Sequence, residues 1–330
     1  MITQTSSVNL RLKYASLVFL TLQTTCLVTL MRISRISVSS HRYLISTIVV
    51  CSEVAKLSVC TLAVVISEGG WLAGISVIHE HVFINFRDTI HVLLPSALYT
   101  IQNNLLYVAI SNLNAVTYQL VYQSKIFTTA LFMIILMNKK LSKMQWFSLT
   151  ILFTGVLLSS HKSDDRPHEM LGSTTSFVIG LLALSCASLI SGFAGVYFES
   201  ILKGTAPSIW IRNVQLALFG VPVALCAVFM YDREAVLEDG FFQGYCPIVW
   251  AIVVLQTCSG LGVAFVMKYA DNILKGFAAG LSIILSSIFS YFIGDFTLNA
   301  WNFSGATLVI AATILYGYVS QPKVDRTQSV

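Results

Sequence analysis

Long apolar stretches, separated by short polar segments, follow one another along almost the whole chain. A membrane-spanning helix needs about 20 mostly apolar residues, and ten stretches of this sequence meet that length. The polar segments between them have no room for a folded domain, so we expect any activity to reside within the helices. The pattern predicts ten transmembrane helices, over residues 12–31, 43–66, 90–110, 115–137, 144–160, 176–199, 208–231, 247–268, 272–294 and 301–319.

The amino-acid composition agrees with this pattern and excludes several other classes of protein. Hydrophobic residues make up 56% of the chain and charged residues 11%, with a mean hydropathy of +0.78. Soluble domains carry roughly 25% charged residues, so this chain lacks the charge that a soluble enzyme or a nucleic-acid-binding domain needs at its surface. We therefore predict an all-α integral membrane protein that contacts the lipid bilayer and does not bind nucleic acid.

The net charge of +5 is interpreted as membrane topology. Cytosolic loops carry an excess of Lys and Arg. Because ten spans place both chain termini on one side, the loops divide into two sets, and the terminal side holds nine of these basic residues against six on the other. This balance favours cytosolic termini.

A faint internal repeat divides the chain into two halves. The run 125–131 (KIFTTAL) resembles the run 275–281 (KGFAAGL), 150 residues later. The offset superposes the fourth span on the ninth, so each half would hold five spans and enter the membrane with opposite polarity. Such a 5+5 inverted repeat is typical of secondary transporters, whose substrate site lies between the halves. A match this short also arises by chance, but the span count predicts the same division into 1–160, 161–320 and a cytosolic tail over 321–330.

Two charged residues lie close together in the second predicted span. Glu53 and Lys56 are three positions apart, which places them on one face of a helix where they can form an ion pair. Charged side chains at membrane depth are costly and mark functional positions by default. The pair either stabilises the bundle or lines a cavity, where it contacts the substrate or gates access to it.

Two tyrosines and a lysine share one face of the fourth span. At 100° per residue, Tyr118, Tyr122 and Lys125 fall within one narrow stripe. The phenol rings can stack on a base or bond to a phosphate, and the ammonium group can meet a negative charge. In the ninth span, Lys275 occupies the matching position, and two lysines facing one cavity call for a polyanion such as a pyrophosphate.

Amides and glycines mark two further spans. Tyr99, Gln102 and Asn103 share a face of the third span, where they either bond to neighbouring helices or read a base edge or sugar hydroxyls. In the sixth span, Gly192 and Gly195 permit close approach, either by another helix or by a ligand.

Arg212 and the cysteines within the predicted spans do not indicate a binding or catalytic site. Arg212, at the start of the seventh span, is expected to extend its charge to the membrane interface. The seven cysteines lie mostly within apolar runs, and no Cys/His cluster suggests a metal. We expect neither a metal nor a cofactor, and the sequence contains no P-loop or GxSxG motif of an enzyme.

Five longer motifs make the sequence recognisable. They are 94–107 (LPSALYTIQNNLLY), 117–126 (TYQLVYQSKI), 191–199 (SGFAGVYFE), 210–215 (WIRNVQ) and 268–277 (KYADNILKGF). Together they closely resemble the Golgi nucleotide-sugar transporters, in the branch that carries CMP-sialic acid, UDP-galactose and UDP-N-acetylglucosamine. The likeness extends from about residue 10 to residue 318.

The resemblance implies a fold, a location and an activity. The fold is that of the drug/metabolite transporters, with ten helices, and the protein is a multi-pass Golgi protein with cytosolic termini. The activity is exchange of a nucleotide sugar for a nucleoside monophosphate. The resemblance also implies that the nucleotide site is lined by Tyr99, Gln102, Asn103, Tyr118, Tyr122, Lys125, Ser191, Gly192, Gly195, Asn213 and Lys275, with Glu53 and Lys56 nearby.

The identity of the transported sugar is inferred from shorter runs of the sequence. The runs 240–245, 254–256 and 288–296 look most like the UDP-N-acetylglucosamine branch, with UDP-galactose or dual use as the close alternative. Ser124, beside Lys125, stands where the family usually has Leu. We therefore expect import of UDP-N-acetylglucosamine into the Golgi lumen in exchange for UMP, by alternating access. A multi-span glycosyl or phosphate transferase and a scaffold for glycosyltransferases are the alternatives, and a homodimer and Golgi glycosyltransferases are the partners considered.

Overall fold

Every regular element in the described part of the chain is helical. The computed structural model describes residues 2–37, 43–113, 115–159, 174–204, 207–293 and 299–319. Within these ranges a π-helix spans Glu80–Ile84. The α-helices are α1 (Ile2–Ser37), α2 (Ile45–Ser67), α3 (Trp71–His79), α4 (Phe86–Asn112), α5 (Ala115–Gln123), α6 (Lys125–Met137), α7 (Lys143–Ser159), α8 (Thr174–Gly204), α9 (Ile209–Tyr231), α10 (Arg233–Asp239), α11 (Pro247–Tyr269), α12 (Asn272–Ile293) and α13 (Ala300–Val319).

The helices follow the predicted spans closely. Among the described residues, seven helices are long and apolar enough to cross a membrane, namely α1, α2, α8, α9, α11, α12 and α13. The three remaining predicted spans correspond to α4, to α5 with α6, and to α7, which fall outside that group by length or hydropathy. The prediction of an all-helical membrane protein is confirmed, and the predicted tail over 321–330 lies outside the described residues.

The fourth predicted span is interrupted at Ser124, between α5 and α6. The hydroxyl and the amide N–H of Ser124 both donate to the carbonyl of Val121, at 2.6 and 3.1 Å. A short polar side chain that bonds to its own backbone competes with the regular helix hydrogen bonds in this way. Tyr118 and Tyr122 therefore belong to one helix and Lys125 to the next.

Two segments that were predicted to be polar connections contain helices. The segment 69–88 holds α3 and the π-helix, and the segment 232–245 holds α10. Gly69, with a φ of +74°, adopts the left-handed conformation that glycine tolerates and ends α2. The largely apolar α3, which is too short to cross the membrane, then packs back against α2, where Gly74 is buried against Val65.

The long helices form two groups and two pairs. In the first group α1 packs against α11 and α12, and in the second α8 packs against α4, α5 and α6. One pair consists of α2 and α9, and the other of α7 and α13. Each group therefore combines helices from both halves of the chain.

Glycines bring α7 and α13 into close contact. A Cβ on Gly305 would overlap the amide nitrogen of Ser159 and the carbonyl of Gly155, and a Cβ on Gly155 would overlap the backbone of Val309. Small residues at such crossings let helix backbones approach and increase their van der Waals contact. The pair also contacts α12 on one side and α5 and α6 on the other, so it touches both groups.

Apolar side chains occupy both the interior and the outer surface of the bundle. Phe277 and Tyr316 are buried, with ring centroids 4.8 Å apart, whereas Phe229 and Phe292 are 66% and 78% exposed. Water would make such an outer surface unfavourable, at about 25 cal/mol per Å² of apolar area. The outer surface is therefore suited to hydrocarbon.

Candidate functional site

A cavity of about 830 Å³ enters the bundle between α2, α4 and α9. Its wall is formed by the first half of α2, the middle and end of α4, one residue of α5 and the second half of α9. Because the wall includes Leu44, Tyr231 and Asp232, which lie at helix termini, the cavity reaches one end of the bundle. Four of the predicted site residues line it, namely Glu53, Lys56, Tyr99 and Tyr118.

The short connections between helices identify the two ends of the bundle. At the end that the cavity reaches, α1 ends and α2 begins, and α9 ends and α11 begins after α10. We call this the open end. At the opposite end α8 ends and α9 begins, and α11 ends and α12 begins. We call this the closed end, and α1 starts there.

Glu53 and Lys56 form the predicted ion pair within the cavity wall. The ammonium nitrogen of Lys56 lies 2.6 Å from the carboxylate of Glu53. Lys56 is buried and Glu53 partly buried, so the pair presents its acidic partner to the cavity. A Cβ on Gly220 of α9 would overlap the Glu53 carboxylate. Gly220 is thus a site residue that the sequence reasoning missed, because it lies 167 positions from Glu53 in the chain.

The tyrosines connect the cavity to the lysine on α6. Tyr118 lines the cavity and stacks on Tyr122, with ring centroids 5.8 Å apart. The ammonium nitrogen of Lys125 lies 3.8 Å from the centroid of the Tyr122 ring, close enough for a cation–π interaction. Tyr99 is near enough to Tyr122 for the two phenols to interact. The structure therefore brings together the predicted polar stripes of the third and fourth spans.

Lys125 and Lys275 meet from the two halves of the chain. Both are partly buried, and their charges are close enough to repel each other, while Glu199 attracts that of Lys275. Within the described ranges, neither lysine forms an ion pair with a carboxylate. A positive charge inside the bundle without a carboxylate in an ion pair is unfavourable, so this pair is a candidate site for an anion.

Two predicted amides each keep a free oxygen. The Oε1 atom of Gln102 and the Oδ1 atom of Asn213 are buried without a hydrogen-bond partner in the part of the chain that the structure describes. Most buried polar atoms are hydrogen-bonded, so such exceptions point to a missing partner. The Nδ2 atom of Asn213 donates to the carbonyl of Ile209 at 2.9 Å, which fixes the direction of its free oxygen. The side chain of Asn103 lies outside the described residues.

The glycines of α8 serve helix packing in this structure. A Cβ on Gly192 would overlap Thr128 of α6, and a Cβ on Gly195 would overlap the side chain of Asn272 in α12. Of the two predicted roles, close approach by a helix is therefore the one observed. Ser191 lies beside them on α8 and is partly buried.

Arg212 does not extend to the membrane interface, and that prediction is wrong. Its side chain is fully buried, 2.9 Å from the carboxylate of Asp88, and it donates to Gln215 at 2.8 Å. The partners on α4 and α9 replace the water that an interfacial arginine would contact. The cavity wall also includes Ser96 and Asn104, which the sequence reasoning did not select. The run of three amide side chains at 102–104 is the sequence feature that could have identified Asn104 as a site residue.

Comparison with known proteins identifies relatives over nearly the whole chain. Residues 8–317 match the nucleotide-sugar transporter family. A human UDP-N-acetylglucosamine transporter is 49% identical over 321 residues, which cover 96% of this chain and 99% of the human one. A UDP-N-acetylglucosamine/UDP-N-acetylgalactosamine transporter of Caenorhabditis elegans is 44% identical over 94% of both chains. A mouse UDP-galactose translocator is 44% identical over 94% of this chain and 80% of its own.

The fold is also known from a solved structure. A crystal structure with 14% sequence identity superposes with a TM-score of 0.61, over 92% of this chain and 97% of its own. The close relatives are all named as transporters, which confirms the prediction that this protein is not an enzyme and argues against a transferase. With apolar helices throughout and a family match across 8–317, this chain belongs to the nucleotide-sugar transporter family.

Proposed function

We propose that this protein exchanges UDP-N-acetylglucosamine for UMP across the Golgi membrane, with both of its termini in the cytosol. The observation that carries the proposal is the pair formed by Lys125 and Lys275, which forms no ion pair with a carboxylate among the described residues. Neither lysine is part of the cavity wall, but Lys125 contacts Tyr122, which stacks on Tyr118 of that wall. The 49% identity to a human UDP-N-acetylglucosamine transporter supports the choice of sugar.

The site offers a chemical partner for each part of a nucleotide. The two lysines neutralise the phosphates, since charge-assisted hydrogen bonds are the strong ones. Tyr118 and Tyr122 offer ring faces to the base. The free oxygens of Gln102 and Asn213 accept hydrogen bonds from base or ribose donors. The cavity of about 830 Å³ lies within the usual range for small-molecule pockets, roughly 300–1,000 Å³, and leaves room for the sugar near Glu53.

The packing of the helices supports ten spans arranged as an inverted repeat. An inverted repeat would make α1 the counterpart of α8, α2 of α9, α4 of α11, α5 with α6 of α12, and α7 of α13. When each helix is replaced by its counterpart, the α1–α11 contact becomes α8–α4 and the α1–α12 contact becomes α8–α6. The pairs α2–α9 and α7–α13 are unchanged by the replacement. A two-fold axis between halves of opposite polarity would produce this pattern.

Alternating access follows from the same packing. The first group holds α1, α11 and α12, and the second holds α4, α5, α6 and α8. Lys275 lies in the first group and Lys125 in the second, so a bound phosphate bridges the two. We propose that these groups move against each other around the bound nucleotide. With cytosolic termini, the open end faces the lumen and the structure corresponds to the lumen-facing state.

The lysine pair also gives a physical reason for exchange. An empty carrier would have to pass through a closed state with two ammonium groups that no phosphate neutralises. Uncompensated charge in a low-dielectric interior costs several kcal/mol. A carrier loaded with UMP or with a nucleotide sugar avoids that cost. The loaded carrier can therefore change from one access state to the other, whereas the empty carrier cannot.

UDP-galactose is the second candidate substrate. The mouse UDP-galactose translocator is 44% identical, so the nucleotide site alone does not separate the two sugars. A homodimer and contacts with Golgi glycosyltransferases stay predictions, as does the alternative that the protein serves as a scaffold for these enzymes.

Exchange in proteoliposomes tests the proposal. Vesicles containing the purified protein are preloaded with UMP and supplied with labelled UDP-N-acetylglucosamine, UDP-galactose or CMP-sialic acid outside. We expect uptake of UDP-N-acetylglucosamine to exceed that of the other two and to require internal UMP. Preferred uptake of UDP-galactose would change the assigned sugar, and uptake independent of internal UMP would contradict exchange.

A further inference from the structure

Charged contacts join the two helix groups at the closed end. Lys139, which follows α6, lies 2.7 Å from the carboxylate of Asp271, which precedes α12. Glu199 of α8 accepts the amide N–H of Asn272 at 2.7 Å. Lys203, also on α8, donates to Glu199 and to the carbonyl of Ala270. The contacts of Lys139 with Asp271, of Glu199 with Asn272 and of Lys203 with Ala270 link the second group to the start of α12, in the first group, whereas the contact of Lys203 with Glu199 lies within α8.

The same carboxylates fix the first turn of α12. Asp271 accepts the amide N–H of Leu274 at 2.8 Å through its other oxygen, as an N-cap residue does. Glu199 is fully buried and holds the amide of Asn272. Negative charge at a helix N-terminus is favoured by the helix dipole. Lys275 lies one turn further on, so these two carboxylates hold the turn of backbone that carries it.

The cluster contains more ammonium groups than carboxylates, so its ion pairs can separate when the carrier changes its accessible side. Lys13, in the first third of α1, interacts electrostatically with Asp271, Lys139 and Lys203. Three ammonium groups therefore share the carboxylates of Asp271 and Glu199. Lys139 is 37% exposed at its side chain, so water can replace its partner when the pair separates. A fully buried pair would hold the groups together too strongly to alternate.

The open end has no comparable ion pair within the described residues. The ion pair in the cavity, between Glu53 and Lys56, lies within α2 alone. At the rim, the contacts of Ser46 with Asp232 and of Tyr231 with Asn104 are hydrogen bonds between side chains. Among the described residues, therefore, ion pairs between the two helix groups are found at the closed end.

We propose that Lys139, Glu199 and Asp271 form an ionic clasp that closes this end of the transport path and positions Lys275, and that opens each time the carrier turns. The proposal rests on the exchange function proposed above. The clasp lowers the free energy of the state in which the open end is accessible, and so slows the departure of an empty carrier from it. Loss of the clasp should let the empty carrier change its accessible side, so that nucleotide leaves a vesicle without being exchanged for another.

A comparison of leak with exchange tests the clasp. Proteoliposomes loaded with labelled UMP are diluted into medium with unlabelled UMP, which reports exchange, or into medium without nucleotide, which reports leak. For Lys139→Gln we expect the ratio of leak to exchange to rise about three- to tenfold, the effect of a half-exposed ion pair on a rate. Asp271→Asn keeps the acceptor for Leu274 and should raise the ratio similarly.

Matched variants separate the clasp from a general loss of structure. Lys140→Gln removes a neighbouring exposed charge that forms no ion pair with any residue the structure describes, and should leave the ratio unchanged. Lys139→Arg keeps the ion pair and should restore it. Damage to the fold lowers exchange and leak together, so it does not imitate the expected result. An equal ratio in Lys139→Gln and Lys140→Gln would overturn the clasp.

Hydrogen–deuterium exchange provides a measurement that does not depend on transport. We expect faster deuterium uptake at the backbone amides of 270–276 in Lys139→Gln than in Lys140→Gln, because the start of α12 loses a restraint. Equal uptake in both variants would overturn the clasp even if UMP exchange is observed. If the wild-type protein exchanges no nucleotide, the proposed function fails, and the difference in uptake alone decides whether the clasp exists.

Discussion

Replacing Lys125 with glutamine should stabilise the empty protein and weaken nucleotide binding at the same time. Lys125 carries its charge into a partly buried position, near the charge of Lys275, and no carboxylate in the described ranges pairs with it. A side chain that holds the fold together would give the opposite sign for stability. The two effects together therefore distinguish a binding residue from a structural one.

The magnitude follows from the contacts of Lys125. Burying an ion costs several kcal/mol, and the cation–π contact with Tyr122, at 3.8 Å, compensates only about 0.5–2 kcal/mol. Removal of the charge should then raise the free energy of unfolding by about 1–2 kcal/mol. For a chain of 330 residues that corresponds to a rise in Tm of about 1.5–3 °C.

The loss of binding is worked out in the same way. A hydrogen bond to a charged group contributes about 1.5–3 kcal/mol, so the affinity for UMP should fall about 10- to 150-fold. At a concentration about 100 times the wild-type Kd, UMP stabilises the wild-type protein by about 2.7 kcal/mol. The same concentration should stabilise Lys125→Gln by only about 0.3–1.4 kcal/mol.

Thermal unfolding of the purified protein, followed by tryptophan fluorescence with and without UMP, measures both effects. Lys140→Gln serves as the control, since its side chain is exposed, and it should change neither the Tm nor the shift with UMP. A lower Tm of empty Lys125→Gln, combined with an undiminished shift with UMP, would refute the reasoning and remove this lysine from the nucleotide site.

Two further substitutions test contacts around the site. Gly220→Ala places a methyl group against the Glu53 carboxylate; we expect a raised apparent KM for the nucleotide sugar in proteoliposomes, whereas Gly317→Ala, which meets open space, should behave as wild type. An unchanged KM would show that the position of Glu53 does not matter for the substrate. Asp88→Asn removes the charge that pairs with the fully buried Arg212 and should lower the free energy of unfolding by about 3 kcal/mol, seen as a Tm lower by about 4 °C. An unchanged Tm would mean that Gln215 alone satisfies the arginine.

The sequence predicted those features that depend on helical spacing. Glu53 and Lys56, three positions apart, form the expected ion pair. Tyr118 and Tyr122, four apart, share a helix face as expected, although their rings stack on each other. Such neighbours meet because a helix turns every 3.6 residues. Interruptions were harder to predict, because the bond from the Ser124 hydroxyl to a backbone carbonyl competes locally with an otherwise apolar pattern.

The sequence did not predict contacts between segments that are far apart in the chain. Arg212 finds Asp88 across 124 positions, and Lys139 finds Asp271 across 132. Nothing in the spacing of these residues indicates which helices become neighbours, so a basic residue at a helix end is equally compatible with the membrane interface. The role of Gly195 was likewise open, since its neighbour Asn272 is fixed only by the packing of α8 on α12.

The glycine contact between α7 and α13 constrains how such a protein can move. Backbones that touch at Gly155 and Gly305 cannot slide past one another without first separating, because close-packed surfaces interlock. Since this pair of helices touches both α12 and α6, we expect the groups that carry the two lysines to tilt about it, not to slide along it, when the proposed carrier alternates. A bulky residue at either glycine should therefore separate α7 from α13 without touching the residues of the candidate nucleotide site.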